Sequence, residues 1–314
     1  MTGTTPERTA GTATLRTAAA PDVPQEATPA QTLRAALWML GSIASFSSMA
    51  VAGRELAGEL DTFEIMTYRS LIGLFIVLVV AGVAGTLHQV NTRSFGTQIA
   101  RNIAHFTGQN LWFYAVTVIP LAQVFALEFT SPLWVIVLSP IFLGERLTRT
   151  RAFAAVMGFV GILIVARPDP AGLNLGIAAA ASCAIFFATT AILTKRLTRT
   201  QSITCIMVYL TATQLVFGLI ASGYDGNIAL PGTSALPWVI IIAVAGLVAH
   251  YCLTTALSIA PATVVMPMDF IRLPAIAIIA MLLYAEPLDP LVFLGAAIIF
   301  GGNYLNIWRE TRAR

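Results

Sequence analysis

Ten apolar runs, each near the length needed to cross a bilayer, leave this chain few folds to adopt. They are Ala35–Val51, Phe63–Val83, Phe95–Val118, Leu121–Leu143, Ala152–Ala166, Leu173–Leu193, Ile203–Ser222, Ala235–Leu257, Ala262–Tyr284 and Leu291–Trp308. About 20 helical residues span the hydrocarbon core, where backbone amides find no water and must bond one another. The expected fold class is therefore an all-α polytopic membrane protein with ten transmembrane helices. Composition agrees: 11% of the residues are charged, against about 25% in an ordinary soluble domain. The net charge of +3 comes from arginines clustered between the runs, which report topology and no nucleic-acid partner. Cys183, Cys205 and Cys252 lie within spans without metal-ligand spacing and read as small buried hydrophobes, so no metal and no cofactor is expected.

Residues 1–32, rich in Thr, Ala and Pro, carry no apolar stretch of a signal peptide and are expected to form a disordered cytoplasmic tail. With that end inside, the inner face collects Arg8, Arg16, Arg34, Arg93, Arg146, Arg149, Arg151, Lys195, Arg196, Arg199, Arg309, Arg312 and Arg314. The outer face receives only Arg54 and Arg167. The positive-inside rule then puts both termini in the cytoplasm, 309–314 being a short C-terminal tail, and the chain in the cytoplasmic (inner) membrane as a multi-pass protein.

Shifted by 141 residues, the position of Pro120 falls on Pro261, and the rest of the chain falls on itself. Phe46 meets Phe187, Leu56 meets Leu197, Met66 meets Met207, Tyr68 meets Tyr209, Phe129 meets Phe270, Glu145 meets Glu286 and Gly161 meets Gly302, while Glu128 falls on Asp269. Two repeats follow, 33–167 and 172–308, with five predicted spans each. Five is odd, so the second repeat enters the membrane from the opposite side, and the repeats are inverted. Glu145 and Glu286 should then end the fourth and ninth spans on opposite faces. Inverted repeats suit secondary transporters, in which two halves exchange outward-open and inward-open shapes around a site at the midplane.

Three stretches resemble the EamA family of the drug/metabolite transporter superfamily. They are Asp61-Thr62-Phe63-Glu64-Ile65-Met66-Thr67-Tyr68-Arg69-Ser70, then Ile119 through Leu133, and Leu143-Gly144-Glu145-Arg146 followed by Gly158-Phe159-Val160-Gly161. The resemblance covers roughly 35–308 and implies ten helices in two repeats, alternating access, and small organic metabolites such as amino acids, nucleotide-linked compounds, riboflavin or S-adenosylmethionine as cargo. The second half departs from the pattern: Leu273 stands in the place of Pro132, with Pro274 one position later, and Ala285-Glu286 replaces Gly-Glu. The break expected in the ninth span has room to be displaced.

Charges inside spans are costly and are functional candidates by default. Met266-Pro267-Met268-Asp269-Phe270-Ile271-Arg272-Leu273-Pro274 sets an acid, a base and two prolines in one span, with Asp269 and Arg272 on one helical face. Glu128 lies roughly 12 Å into the fourth span, at about 1.5 Å per residue, and Asp269 equally deep from the other face. Either is a candidate for carrying a coupling proton or gripping a cationic group; the alternative is a structural pair with an intramembrane arginine. Arg272 is the first choice of anchor for a substrate anion, the alternative being neutralisation by Asp269. Arg101, His105, Gln109 and Trp112 draw one polar stripe along the third span and read as a cavity wall, although Arg101 is near enough to the inner end to reach lipid headgroups. His105 and His250 are candidates for proton relay or for helix-to-helix hydrogen bonds. Arg69 resembles the arginine common in this family's second helix, with Glu64 or Glu128 as possible partners besides a substrate. Pro132, Pro267 and Pro274 are the expected hinges. Arg54 and Lys195 read as interfacial anchors.

The expected function is secondary active transport of a small polar metabolite with an anionic or zwitterionic group, coupled or not to protons. The alternatives are export of neutral drug-like or vitamin-like compounds, a membrane-embedded enzyme, or a receptor. No nucleophile–base constellation appears on facing spans, so no catalytic residue is expected.

Overall fold

Thr28 starts the first helix earlier than hydropathy indicates. Its hydroxyl accepts the Gln31 amide at 3.2 Å, the Gln31 side chain returns to the Thr28 amide at 2.8 Å, and Pro29 occupies the first turn. Residues 29–32, expected in a disordered tail, are therefore helical, and polar Thr32 and Arg34 concealed them from an apolar-run reading. The computed structural model describes residues 27–144, 148–166, 174–224, 226, 228–285 and 290–312. Glu145 and Glu286, and with them the expected ends of the fourth and ninth spans, lie outside the described residues.

The helices are α1 (Pro29–Glu55), α2 (Thr62–Val83), α3 (Phe95–Val118), α4 (Leu121–Glu128), α5 (Ser131–Leu143), α6 (Arg149–Ala166), α7 (Leu175–Leu197), α8 (Ile203–Ser222), α9 (Leu236–Ile259), α10 (Ala262–Met268), α11 (Arg272–Tyr284) and α12 (Pro290–Arg312). Helix α12 takes in residues 309–312, which were expected in the C-terminal tail. Seven helices among the described residues are long and apolar enough to cross a membrane, counting 123–143 and 262–284 as continuous. Helices α3, α6 and α12 are of comparable length, 24, 18 and 23 residues. A buried polar stripe in α3 (Gln98, Arg101, Asn102, His105, Gln109) and Arg149 and Arg151 in α6 make these segments less apolar.

The repeat register persists in three dimensions. Helices α3 and α9 match end to end under it, as do α5 and α11. Helix α1 packs on α9 as α7 packs on α3, while α2 packs on its own mate α8 and α6 on its mate α12. Phe129 and Phe270, also mates, meet edge to face at 5.7 Å. Arg54 donates to the Val116 and Ile119 carbonyls at 3.5 and 3.2 Å, and Lys195 donates to Leu257 and Ala260 at 2.7 and 2.8 Å. These cations, expected as interfacial anchors, instead hold the C-terminal carbonyls of α3 and α9, where a positive charge also meets the negative helix end.

Both broken spans break at the same register. Helix α4 stops at Glu128 before α5 begins at Ser131, and α10 gives way to a 3-10 turn, Asp269–Ile271, before α11. The break in the second repeat is therefore not displaced. Pro132 cannot bond the Glu128 carbonyl and Pro274 cannot bond that of Phe270, so each proline frees a carbonyl at the break while sitting in the tolerant first turn of the next half-helix.

Gly144 and its mate Ala285 end α5 and α11 in the left-handed region, at φ 67° and 52°. An L side chain there costs about 1–2 kcal/mol, so Ala285→Gly should raise the stability of the purified protein by up to about 1 kcal/mol in a thermal or denaturant melt. Helices α2 and α8 approach so closely that a Cβ on Gly218 would lie 2.6 Å from Thr67 Oγ1 and 3.0 Å from its Cα. Gly218→Ala should lose about 1–3 kcal/mol by overpacking, whereas Gly96→Ala, which meets nothing within 4 Å, should not destabilise the same melt.

Candidate substrate cavity

The two breaks meet at one end of a cavity of about 710 Å³, which includes space open to solvent and is walled by α1, α3, α7 and α9. Glu128 is the last residue of α4, Asp269 opens the 3-10 turn after α10, and Arg272 is the first residue of α11. Two carboxylates at C-terminal ends and a guanidinium at an N-terminal end all oppose their local helix dipoles. They satisfy one another: Arg272 Nη2 lies 2.6 Å from Glu128 Oε1 and 2.6 Å from Asp269 Oδ2. Trp112 Nε1 donates to the second Glu128 oxygen at 2.6 Å. The Phe46, Phe125 and Phe129 rings surround the Arg272 guanidinium at 5.1, 5.0 and 5.1 Å, adding cation–π attraction. Asp269 Oδ1 and Arg272 Nε remain buried without partners. With both acids ionised the cluster carries one net negative charge.

Arg272, the first choice of anchor for a substrate anion, is bound here through Nη2 to two carboxylates from different repeats, the neutralised alternative extended from Asp269 to Glu128. The cation without a carboxylate partner inside the cavity is Arg101. It is 1% exposed and does not reach headgroups. Its Nε donates to Thr194 Oγ1 at 3.0 Å and its Nη1 to Asn102 Oδ1 at 2.8 Å.

Between the two poles lie the histidines. His105 and His250 stack edge to face at 4.5 Å, and His250 meets Phe46 at 5.3 Å and His105 meets Phe187 at 6.4 Å. Both ring nitrogens of His105 and Nε2 of His250 are buried without a hydrogen-bond partner. Gln109, Trp112 and Pro132 also line the cavity, whereas Pro267 and Pro274 do not. Arg69 lies outside it, in a recess of its own that His250 also borders. Neither expected acid pairs with it: Glu64 accepts the Asp61 and Ala229 amides, and Glu128 is held by Arg272.

Sequence reasoning missed Thr190, Thr194, Ser131 and Thr254 in the wall. The first two stand one helical turn apart on α7, in line with Phe187, and that spacing was the available signal. Phe46 and Phe187 were visible only as repeat mates. Among the described residues no group of three or more His, Cys, Asp or Glu is placed to hold a metal ion.

The sequence profile of EamA-like transporters matches residues 33–167 and again 174–308. The chain belongs to the EamA-like transporter family. A protein named S-adenosylmethionine uptake transporter from Rickettsia felis is 26% identical over 88% of this chain and 93% of its own length. A protein named riboflavin transporter from Brucella anthropi is 31% identical over 68% of this chain and 77% of its own length, and another riboflavin transporter, from Vibrio cholerae, is 25% identical over 90% of the chain. A solved crystal structure with 17% identity superposes at a TM-score of 0.73, covering 91% of this chain and 99% of that one. This EamA-like transporter is thus a multi-pass membrane protein that moves a small metabolite, and it is not an enzyme.

Removing one partner from a buried ion pair leaves an uncompensated charge, at about 3–5 kcal/mol. Arg272→Gln should therefore lower stability by that order, and adding Glu128→Gln and Asp269→Asn should restore most of it. Equal melting temperatures for the single and triple variants would show that the cluster does not support the fold.

Proposed function

We propose that this EamA-like transporter carries a small polar organic metabolite with an anionic or zwitterionic group across the cytoplasmic membrane by alternating access. In this reading ten spans form two inverted five-helix repeats, with both termini in the cytoplasm. The observation that carries it is the polarity of the central cavity. One pole is the Glu128–Asp269–Arg272 cluster, with its net negative charge, and the other is Arg101, which no carboxylate among the described residues neutralises. Along α3 the two poles are separated by the rise from Arg101 to Trp112, roughly 16 Å. A cargo with a cationic or donor group at the acidic pole and a carboxylate or phosphate at Arg101 complements both. In this reading Arg101 is the anchor, because its neutral partners Thr194 and Asn102 engage Nε and Nη1 and leave Nη2 for a cargo anion. A proton is the simplest other ligand that would neutralise the acidic cluster, so the same two carboxylates are the candidates for coupling.

Alternating access is supported by where the packing is dense. Met49, Leu56, Phe113, Val116, Leu121 and Ile276 belong to the larger core, toward the Arg54–Ile119 end; a smaller core with Met39, Leu143, Leu257 and Val265 packs the Lys195–Ala260 end, where the cavity's Arg101, Thr194, Leu253 and Met266 also lie. Under the positive-inside orientation this is a cavity biased to the cytoplasmic side.

A neutral cargo is the second reading, and the aromatic walls favour it: Phe46, Phe129, Phe187 and Trp112 offer faces on which a planar ring can stack. The relatives named for riboflavin and for S-adenosylmethionine both move molecules with planar rings.

A thermal-shift screen of metabolites on the purified protein, followed by uptake of the hits into proteoliposomes, tests both readings. Arg101→Gln is expected to abolish uptake of a zwitterionic or anionic hit while the protein remains folded and inserted. Equal wild-type affinity for the acid and for its uncharged amide or ester would favour the neutral reading and overturn the first.

A further inference from the structure

Arg69 is the intramembrane cation that the central cavity does not use. Helix α2 carries it into a second recess, about 290 Å³, between α2, α8 and α9. It is 7% exposed. Among the described residues its guanidinium meets one acceptor, the Met66 sulfur at 3.7 Å, and no carboxylate lies within ion-pair distance. Among the described residues, the recess wall contains no acidic side chain. Thr211 already donates its hydroxyl to the Met207 carbonyl and Gln214 its amide to that of Asn102. His250 Nε2, on the same wall, is buried and unpartnered. Glycine at residue 246 leaves the guanidinium room against helix α9: a Cβ there would lie 2.8 Å from Arg69 Nη2, the movable end of that side chain.

An uncompensated guanidinium this deep in a helical bundle is strongly disfavoured, and the protein supplies it with neither counter-charge nor a full set of acceptors. We propose that the recess is a binding site for a small inorganic monoanion, chloride, held by the Arg69 guanidinium with His250 Nε2 as a second contact. Such an ion joins α2 of the first repeat to α8 and α9 of the second, and the His250 ring stands between it and the central cavity.

The test is thermal unfolding of the purified full chain in chloride or bromide against gluconate at constant ionic strength, with no cargo present. The wild-type melting temperature is expected to rise and saturate with either halide, and Arg69→Gln to be unresponsive. Gly246→Ala keeps the charge but crowds the guanidinium; it should need about tenfold more chloride for half-saturation, the equivalent of one weakened charge-assisted hydrogen bond. Equal wild-type melting in chloride and gluconate, a chloride response retained in Arg69→Gln, or an unchanged half-saturation in Gly246→Ala overturns the proposal. A carboxylate cargo that stabilises the protein through Arg69 where chloride does not also overturns it, by assigning the recess to the cargo. Because cargo is absent from the halide series, its outcome is independent of whether the central cavity takes a zwitterion.

Discussion

Everything at the centre of this transporter depends on one guanidinium nitrogen shared by two carboxylates. Arg272 Nη2 is 2.6 Å from Glu128 and 2.6 Å from Asp269, and the two acids belong to different repeats. Each of the three groups would be disfavoured alone at a helix break inside the bundle. Together they close the breaks electrostatically and tie the halves at their axis, where Phe129 also meets Phe270. A hydrophobic replacement could fill such a space as well, as buried ion pairs elsewhere illustrate. What an ionic cluster adds is responsiveness, because its net negative charge can be answered by a cation or a proton arriving in the cavity.

Around that cluster, symmetry distributes structural work in mirrored pairs. Arg54 holds the end of α3 and Lys195 the end of α9 through carbonyls at matching positions, and α1 lies on α9 as α7 lies on α3. The polar chemistry is not mirrored. His105 has Gly246 as its mate, Gln109 has His250, and Arg69 has Leu210. A scaffold of two matching repeats thus carries an asymmetric set of polar side chains. Glycine at 246 also clears the space that the Arg69 side chain occupies.

The sequence by itself determined the helical class and the repeat register, and its prolines marked the broken spans without fixing where the second break falls. Run length follows from bilayer thickness, register is a one-dimensional property, and a proline removes an amide wherever it stands. The same reasoning equated Glu128 with Asp269, which the structure brings to one cation. Helix ends were less legible: the Thr28–Gln31 capping box lengthened α1 beyond its apolar run, and 3-10 geometry around Asp269 is a local compromise.

Only the tertiary structure decided which charge pairs with which. Spacing along a helix gives the depth of a residue and its neighbours on one face, but partner choice depends on how each helix is rotated and how closely it approaches the next. Arg272, Arg101 and Arg69 look alike as buried arginines in the chain. Arg272 starts a half-helix between two acids, Arg101 turns toward Thr194 and Asn102, and Arg69 enters a recess that Gly246 leaves open. Coulomb attraction falls off only slowly with distance at low dielectric and does not by itself choose among buried cations; the two 2.6 Å contacts of Arg272 require helix packing to set it between the acids, so the roles of the three were set by packing between helices distant in the chain.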